Sequence, residues 1–173
     1  ALGKALVTGM PITHKYVTVS GDAVKKPQTV YVPVGTISGE LLKAVGGVKE
    51  GIEDILMING GPMMGRAIPN NQWSISQSTN GVTVMKHIKE EAINCLRCGA
   101  CVDHCPMGLE PVRIADEHKV VDYDHLVKLR VTDCIECGLC TYVCPSKIDM
   151  TEKMRRAKTF VGAKIKAAKC GLK

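Results

Sequence analysis

The sequence predicts an α+β chain with a β-grasp-like unit first and a mainly helical unit second. Three observations predict this. Residues 14–34 alternate apolar and polar side chains at the period of strands. Beyond Lys86 the apolar spacing lengthens to that of helices. Eight of the nine cysteines lie in two strings of identical spacing inside that helical part. The boundary is placed so that residues 1–86 form the first domain and residues 87–173 the second.

His14–Ser20 reads as a strand, and Gly21-Asp22 begins a turn. Thr29–Val34 reads as a second strand, with Pro33 placing it at an edge or a strand end. Thr36 is the expected cap of a short helix through Leu41, Leu42 and Val45, which Gly46-Gly47 stops. Asp54–Ile58 is a third strand and Gly81–Met85 a later one. The order β-β-α-β within about 50 residues suits a β-grasp-like unit. The glycine-rich run Asn59-Gly-Gly-Pro-Met-Met-Gly65-Arg66 lacks the spacing of a phosphate-binding loop and is read as a tight turn.

In the second part, residues 87–95 are expected to be helical into the first cysteine string. Leu109, Val112 and Ile114, then Leu126 and Leu129, sit near helical spacing, with Asp122 or Asp124 as the cap of the later helix. Met150, Met154, Ala157, Val161, Ile165 and Ala168 place a helix over 149–169 with one apolar face.

The two strings are Cys95-x2-Cys98-x2-Cys101-x3-Cys105-Pro106 and Cys134-x2-Cys137-x2-Cys140-x3-Cys144-Pro145. This is the spacing that wraps a cubane [4Fe–4S] cluster. Three thiolates three residues apart reach three corners of one inorganic cube, and the proline turns the chain away after the fourth. In two-cluster ferredoxins the fourth cysteine of each string ligates the other cluster. On that pattern cluster I uses Cys95, Cys98, Cys101 and Cys144, and cluster II uses Cys134, Cys137, Cys140 and Cys105. The alternative is that each string serves its own cluster. Structural zinc favours paired C-x2-C units with long gaps between the pairs. Disulfides need an oxidising compartment, and no secretory signal is visible. Gly99 and Gly138 suit backbone passing close to sulfide, where a Cβ would crowd. Cys170 is read as a free thiol without a role. His104 is read as a surface histidine beside Cys105, and Arg97 and Lys147 as charges that shift cluster potentials.

Aromatic residues make up only 3% of the chain, and Trp73 is the one tryptophan. Clusters then substitute for part of the missing core, so folding of the second half is coupled to metal. No apolar run reaches the ~18 residues that span a bilayer. The net charge of +6 is concentrated at the end: residues 151–173 carry eight basic side chains, Lys153 through Lys173, against Glu152. A solvated helix face accounts for this run, with docking to an acidic redox partner or an anionic surface as the functional reading. Scarce aromatics argue against nucleic acid. The chain begins with Ala1 and is read as a piece of a longer polypeptide.

The runs Val17–Pro27, Val32–Thr36 and Gly60–Gly65, followed by both cysteine strings, resemble the C-terminal half of the RnfC family. RnfC proteins are peripheral subunits of a membrane-bound ferredoxin:NAD oxidoreductase. The resemblance runs from about Gly3 to the last helix and extends to PduS-type cobalamin reductases and PrdC-type proteins. It implies an SLBB β-grasp domain around Val17–Gly61 and a two-cluster ferredoxin domain over residues 87–160. It also implies that FMN and NADH belong to a domain or subunit outside this chain, since no glycine-rich nucleotide loop is present here. The function so implied is electron transfer through two [4Fe–4S] clusters, between a flavin/NADH-binding domain and further redox subunits, some of them membrane-bound. No catalytic residues are expected. The place is the cytoplasm or the inner face of the cell membrane. The alternative is a cobalamin-reductase-type module whose β-grasp domain binds a small ligand.

Overall fold

The computed structural model describes residues 2–88 and 90–170. The chain forms two compact units, residues 1–89 and 90–173. A short helix α1 (Leu2–Thr8), not expected from the sequence, precedes the sheet. Strands β1 (His14–Ser20) and β2 (Gln28–Pro33) pair antiparallel, with Tyr16 opposite Tyr31 and Thr18 opposite Thr29. Helix α2 (Ser38–Ala44) leads to β3 (Ile55–Asn59), the two-residue β4 (Arg66–Ala67) and β5 (Gly81–Lys86). The strand order is β2-β1-β5-β3-β4, and β5 runs parallel to β1 in the middle. The alternation in β1 does what its pattern requires: Val17 and Val19 are fully buried, while His14, Tyr16 and Thr18 face outward. Val17 and Val19 pack with Leu41, Val45, Met57, Ile75, Val82 and Val84, and Trp73 lies half-buried against them.

One local expectation in this unit changes. Thr36 does not cap α2: the cap position is Ile37, and the Thr36 hydroxyl instead donates to the Pro33 carbonyl at 2.7 Å. The Gly46-Gly47 stop is present, both glycines in the left-handed region with amides donating to the Lys43 and Leu42 carbonyls. The Gly60–Gly65 run is a tight turn in which a Cβ at Gly65 would strike Ile58 and the Gly61 carbonyl.

The second unit holds α3 (Ala100–Asp103), α4 (Pro111–Lys119), α5 (Tyr123–Lys128), a 3-10 turn at Val131–Asp133, α6 (Leu139–Tyr142) and the 20-residue α7 (Met150–Lys169). Asp122, not Asp124, caps α5, accepting the His125 amide at 2.9 Å. Just before it, exposed Val121 joins α4 to α5 with φ +60°. The core gathers Leu109, Ile114, Leu126, Val131, Met154, Ala157 and Val161. The α7 stripe is buried as far as Val161 and partly at Ile165, but Ala168 is exposed because the helix outlasts the core beneath it.

The helix expected over 87–95 does not form among the described residues, from which Lys89 is excluded. The stretch is short, and its Ile88 and Ile93 remain exposed, so no apolar face repays helix nucleation. It runs instead as a strap. The Ile93 amide donates to the Ser146 carbonyl at 3.1 Å, and the Ser146 hydroxyl donates to the Asn94 carbonyl at 3.1 Å.

Gly21 closes β1 at φ +126°, where a Cβ would collide with the Val84 backbone. Gly21→Ala is therefore expected to destabilise the first unit by about 2 kcal/mol or more. Urea unfolding followed by Trp73 fluorescence checks this, since the only tryptophan reports on that unit.

Candidate metal centre

The two strings adopt one geometry twice. Two residues after the first cysteine, the backbone enters the left-handed region, at Arg97 (φ +53°) and Glu136 (φ +56°). That turn aims each amide back at sulfur: Arg97 N–H donates to Cys95 Sγ and Glu136 N–H to Cys134 Sγ, both at 3.4 Å. Gly99 (φ +83°) and Gly138 (φ +86°) then start the one-turn helices α3 and α6, which carry the third cysteines. Three residues past each fourth cysteine the backbone is left-handed again, at Gly108 (φ +59°) and Lys147 (φ +53°). The Leu109 amide donates to Cys105 Sγ at 3.3 Å. A left-handed non-glycine residue costs about 1–2 kcal/mol. Structural metal binding, on the order of 10 kcal/mol in small zinc domains, is ample to hold three such residues in place.

The fourth cysteines cross over. Cys105 lines a single concavity with Cys134, Cys137 and Cys140, walled by Pro106, Leu109, Pro111, Ile135, Thr151 and Met154. Conversely, Cys144 lies close enough to the first string to push the Cys101 thiol up together with Cys95 and Cys98, after burial itself. Ala115, Ile148 and Met150 form a small core against which Cys144 packs. Four thiols converging on an apolar hollow, with backbone N–H groups aimed at sulfur, fit an iron–sulfur cube.

Burial pushes the Cys101 thiol above its usual range, and the neighbouring thiolates add to the push. Burial likewise raises Cys134, against the Glu136 N–H and the Lys158 charge. It raises Cys140 too, against the Thr151 hydroxyl 3.7 Å from its sulfur. Thiols of raised pKa must release protons to bind iron, so cluster assembly grows more favourable as pH rises. The first string is the more open: Cys95 and Cys98 are exposed, whereas all four cysteines of the second are at least half-buried.

Helix α7 ties down the second string. Arg155 Nε donates to Glu136 Oε2 at 3.1 Å, and Lys158 Nζ donates to the Cys134 carbonyl at 2.6 Å and to Glu136 Oε1 at 3.3 Å. Burial works against the Glu136 carboxylate, but these two cations hold its carboxyl below the usual range. Its folded pKa is thus depressed. The stability it lends is complete above the ordinary glutamate pKa and is lost as pH falls through the lower, folded value.

Part of the basic tail is consumed internally. Besides Arg155 and Lys158, Arg156 pairs with Glu152, and Lys164 lies over the Tyr123 and Phe160 rings at 5.2 and 4.9 Å. Lys173 lies outside the described residues. Arg97 meets Asp116 at 3.8 Å, and Lys147 meets Glu90 at 3.1 Å. His104 Nδ1 donates to the Ala100 carbonyl in its own turn at 2.9 Å. Cys170 is exposed. Among the described residues, Glu117, Asp122 and His125 also gather. Their contacts are those of the α5 cap, with His125 Nδ1 within 3.5 Å of both carboxylates.

The sequence reading missed Thr151, Glu136, Arg155 and Lys158. The signal was present in the 39-residue offset between the strings: Arg97 and Asp116 stand 39 residues before Glu136 and Arg155. The same ion pair recurs there with its charges exchanged.

A 4Fe-4S dicluster domain model matches residues 94–148. An SLBB domain model matches residues 16–67. The chain is 34% identical over 120 residues to the RnfC component of the Na(+)-translocating ferredoxin:NAD(+) oxidoreductase complex of Acetobacterium woodii, covering 66% of this chain and 26% of that protein. It is 35% identical over 117 residues to the RnfC component of the ion-translocating oxidoreductase complex of Rhodobacter capsulatus, covering 66% and 22%. The corresponding protein of Vibrio cholerae is 35% identical over 133 residues, covering 75% and 17%. The chain thus spans about a quarter or less of these relatives' length. An SLBB domain followed by a 4Fe-4S dicluster domain, with these relatives, makes the chain an RnfC-like segment.

Proposed function

We propose that this chain is the electron-relay portion of an Rnf-type oxidoreductase, carrying single electrons through two [4Fe–4S] clusters. The observation that carries the reading is the convergence of Cys105 with Cys134, Cys137 and Cys140, and of Cys144 with the first-string thiols. Cluster I is held by Cys95, Cys98, Cys101 and Cys144, and cluster II by Cys134, Cys137, Cys140 and Cys105. The bound clusters supply the one-electron chemistry. The protein's part is to fix their spacing, exclude water from cluster II through its apolar hollow, and place N–H groups on sulfur. Flavin and nicotinamide belong to another domain or subunit. Other redox subunits of a membrane-associated complex are the partners, and no helix among the described residues is long and apolar enough to cross a membrane. The site of action is the cytoplasm or the inner face of the membrane.

A ligand-binding reading of the first unit has one observation in its favour. Tyr16 and Tyr31 stand exposed side by side, ring centroids 4.7 Å apart, with His14 stacked on Tyr31 at 5.3 Å. Such a platform suits a flat ring. A cobalamin absorbance titration that gives no spectral change favours the relay alone.

Anaerobically purified protein is expected to hold about eight iron and eight sulfide per chain. Cys98→Ala and Cys144→Ala should each remove the same cubane EPR signal, and Cys105→Ala and Cys137→Ala the other. Loss of different signals in Cys98→Ala and Cys144→Ala would reverse the crossed assignment. Colourless protein carrying zinc would end the relay reading. Removing iron with a chelator should abolish most helical circular dichroism while leaving Trp73 fluorescence unchanged, because only the second unit is stapled by metal.

A further inference from the structure

The 39-residue offset relates more than the cysteines. It superimposes Leu109 on Ile148, Pro111 on Met150, Ala115 on Met154, and Lys119 on Lys158. Among the pairs that differ, Thr151 stands where its counterpart is the apolar Val112. Thr151 is buried, 5% exposed, and its Oγ1 lies 3.7 Å from Cys140 Sγ. We propose that Thr151 is a potential-setting residue, whose hydroxyl hydrogen-bonds the Cys140 thiolate and raises the midpoint potential of cluster II alone. This rests on the two-cluster reading above.

The direction of the hydroxyl follows from the sulfur it faces. The Thr151 amide donates to Thr141 Oγ1 at 2.7 Å, so that oxygen already accepts a proton. Thr141 has one proton of its own to place. Asp149 Oδ1, which it reaches as a donor, lies 3.3 Å away and Thr151 Oγ1 2.7 Å away, and either hydroxyl can donate between the two threonines. A cluster-bound Cys140 sulfur carries no proton, so in the 3.7 Å contact only the Thr151 hydroxyl can donate, and a hydrogen bond to an anionic acceptor is the stronger kind. Reduction adds negative charge to a site that burial already disfavours for charge. A donor to sulfur stabilises that added charge, so it offsets burial and raises the potential. Val112 carries no hydroxyl to do this in the first half. The change involves one electron only, with no bond made or broken and no proton moved.

The test is a potentiometric EPR titration of the whole chain with dithionite, alongside iron and sulfide counts. Thr151→Val is expected to keep full iron and to lower the midpoint of one cluster signal, the one that Cys137→Ala removes, leaving the other in place. Thr151→Ser keeps the hydroxyl and should retain the wild-type midpoint, whereas Thr151→Ala, which loses the same methyl and the hydroxyl too, should not. Full iron with unmoved midpoints in Thr151→Val, or equal movement of both signals, overturns the proposal. Where Thr151→Val fails to keep its iron, the Ser and Ala variants decide: matching midpoints in these two overturn it. In each of these outcomes the iron count stays with the two-cluster reading, which falls only if wild-type protein holds no cubane.

Discussion

The second unit depends on a backbone turn that points amides at sulfur. At Arg97 and again at Glu136 the chain accepts a left-handed residue with a side chain, a conformation disfavoured by the Cβ. In return the N–H groups meet Cys95 and Cys134, and the cysteines that follow are brought round on one-turn helices. Glycine would adopt the turn more easily, but it would forfeit the ion pair that each side chain makes with the helix beyond. The same residue therefore shapes the sulfur site and fastens it to α4 or α7.

This fastening changes the meaning of the basic C-terminal helix. A run of eight cations suggests a charged surface held out to a partner. In the folded chain, Arg155 and Lys158 turn inward to a carboxylate and a carbonyl of the second string, and Lys164 lies on aromatic rings. Their charge is spent on holding a metal-binding loop in a partly desolvated place, where removing one partner leaves the other uncompensated. Thr151 and Met154, from the first turns of α7, add a hydroxyl and an apolar wall to the same hollow. One helix thus provides clamp, wall and hydrogen bond.

Much of this was legible in the residues. The cysteine spacing named the 4Fe-4S dicluster domain because so few protein geometries require it. Strict alternation named β1 because a half-buried strand must show Val17 and Val19 to the core and Tyr16 and Thr18 to water. The α7 period named its buried stripe, which fails only at Ala168, where the core has already ended. What was not legible depended on contacts distant in sequence. Residues 87–95 hold a helix-like period, yet hydrogen bonds to Ser146, some 50 residues on, decide their shape. Thr36 looked like a cap, but its hydroxyl found a nearer carbonyl at Pro33. Thr151 carried no local sign at all, because its importance comes from where α7 lays it down.

Between the two strings, Val121 is exposed, β-branched and left-handed, on a connection between helices of the kind where proteolytic nicking concentrates. Yet Cys105 comes from before it and sits with thiols from after it, while Cys144 makes the reverse journey. A nick at that spot would leave Cys105 on one peptide and the three cysteines that line its hollow on the other, so the two pieces would still meet across that hollow.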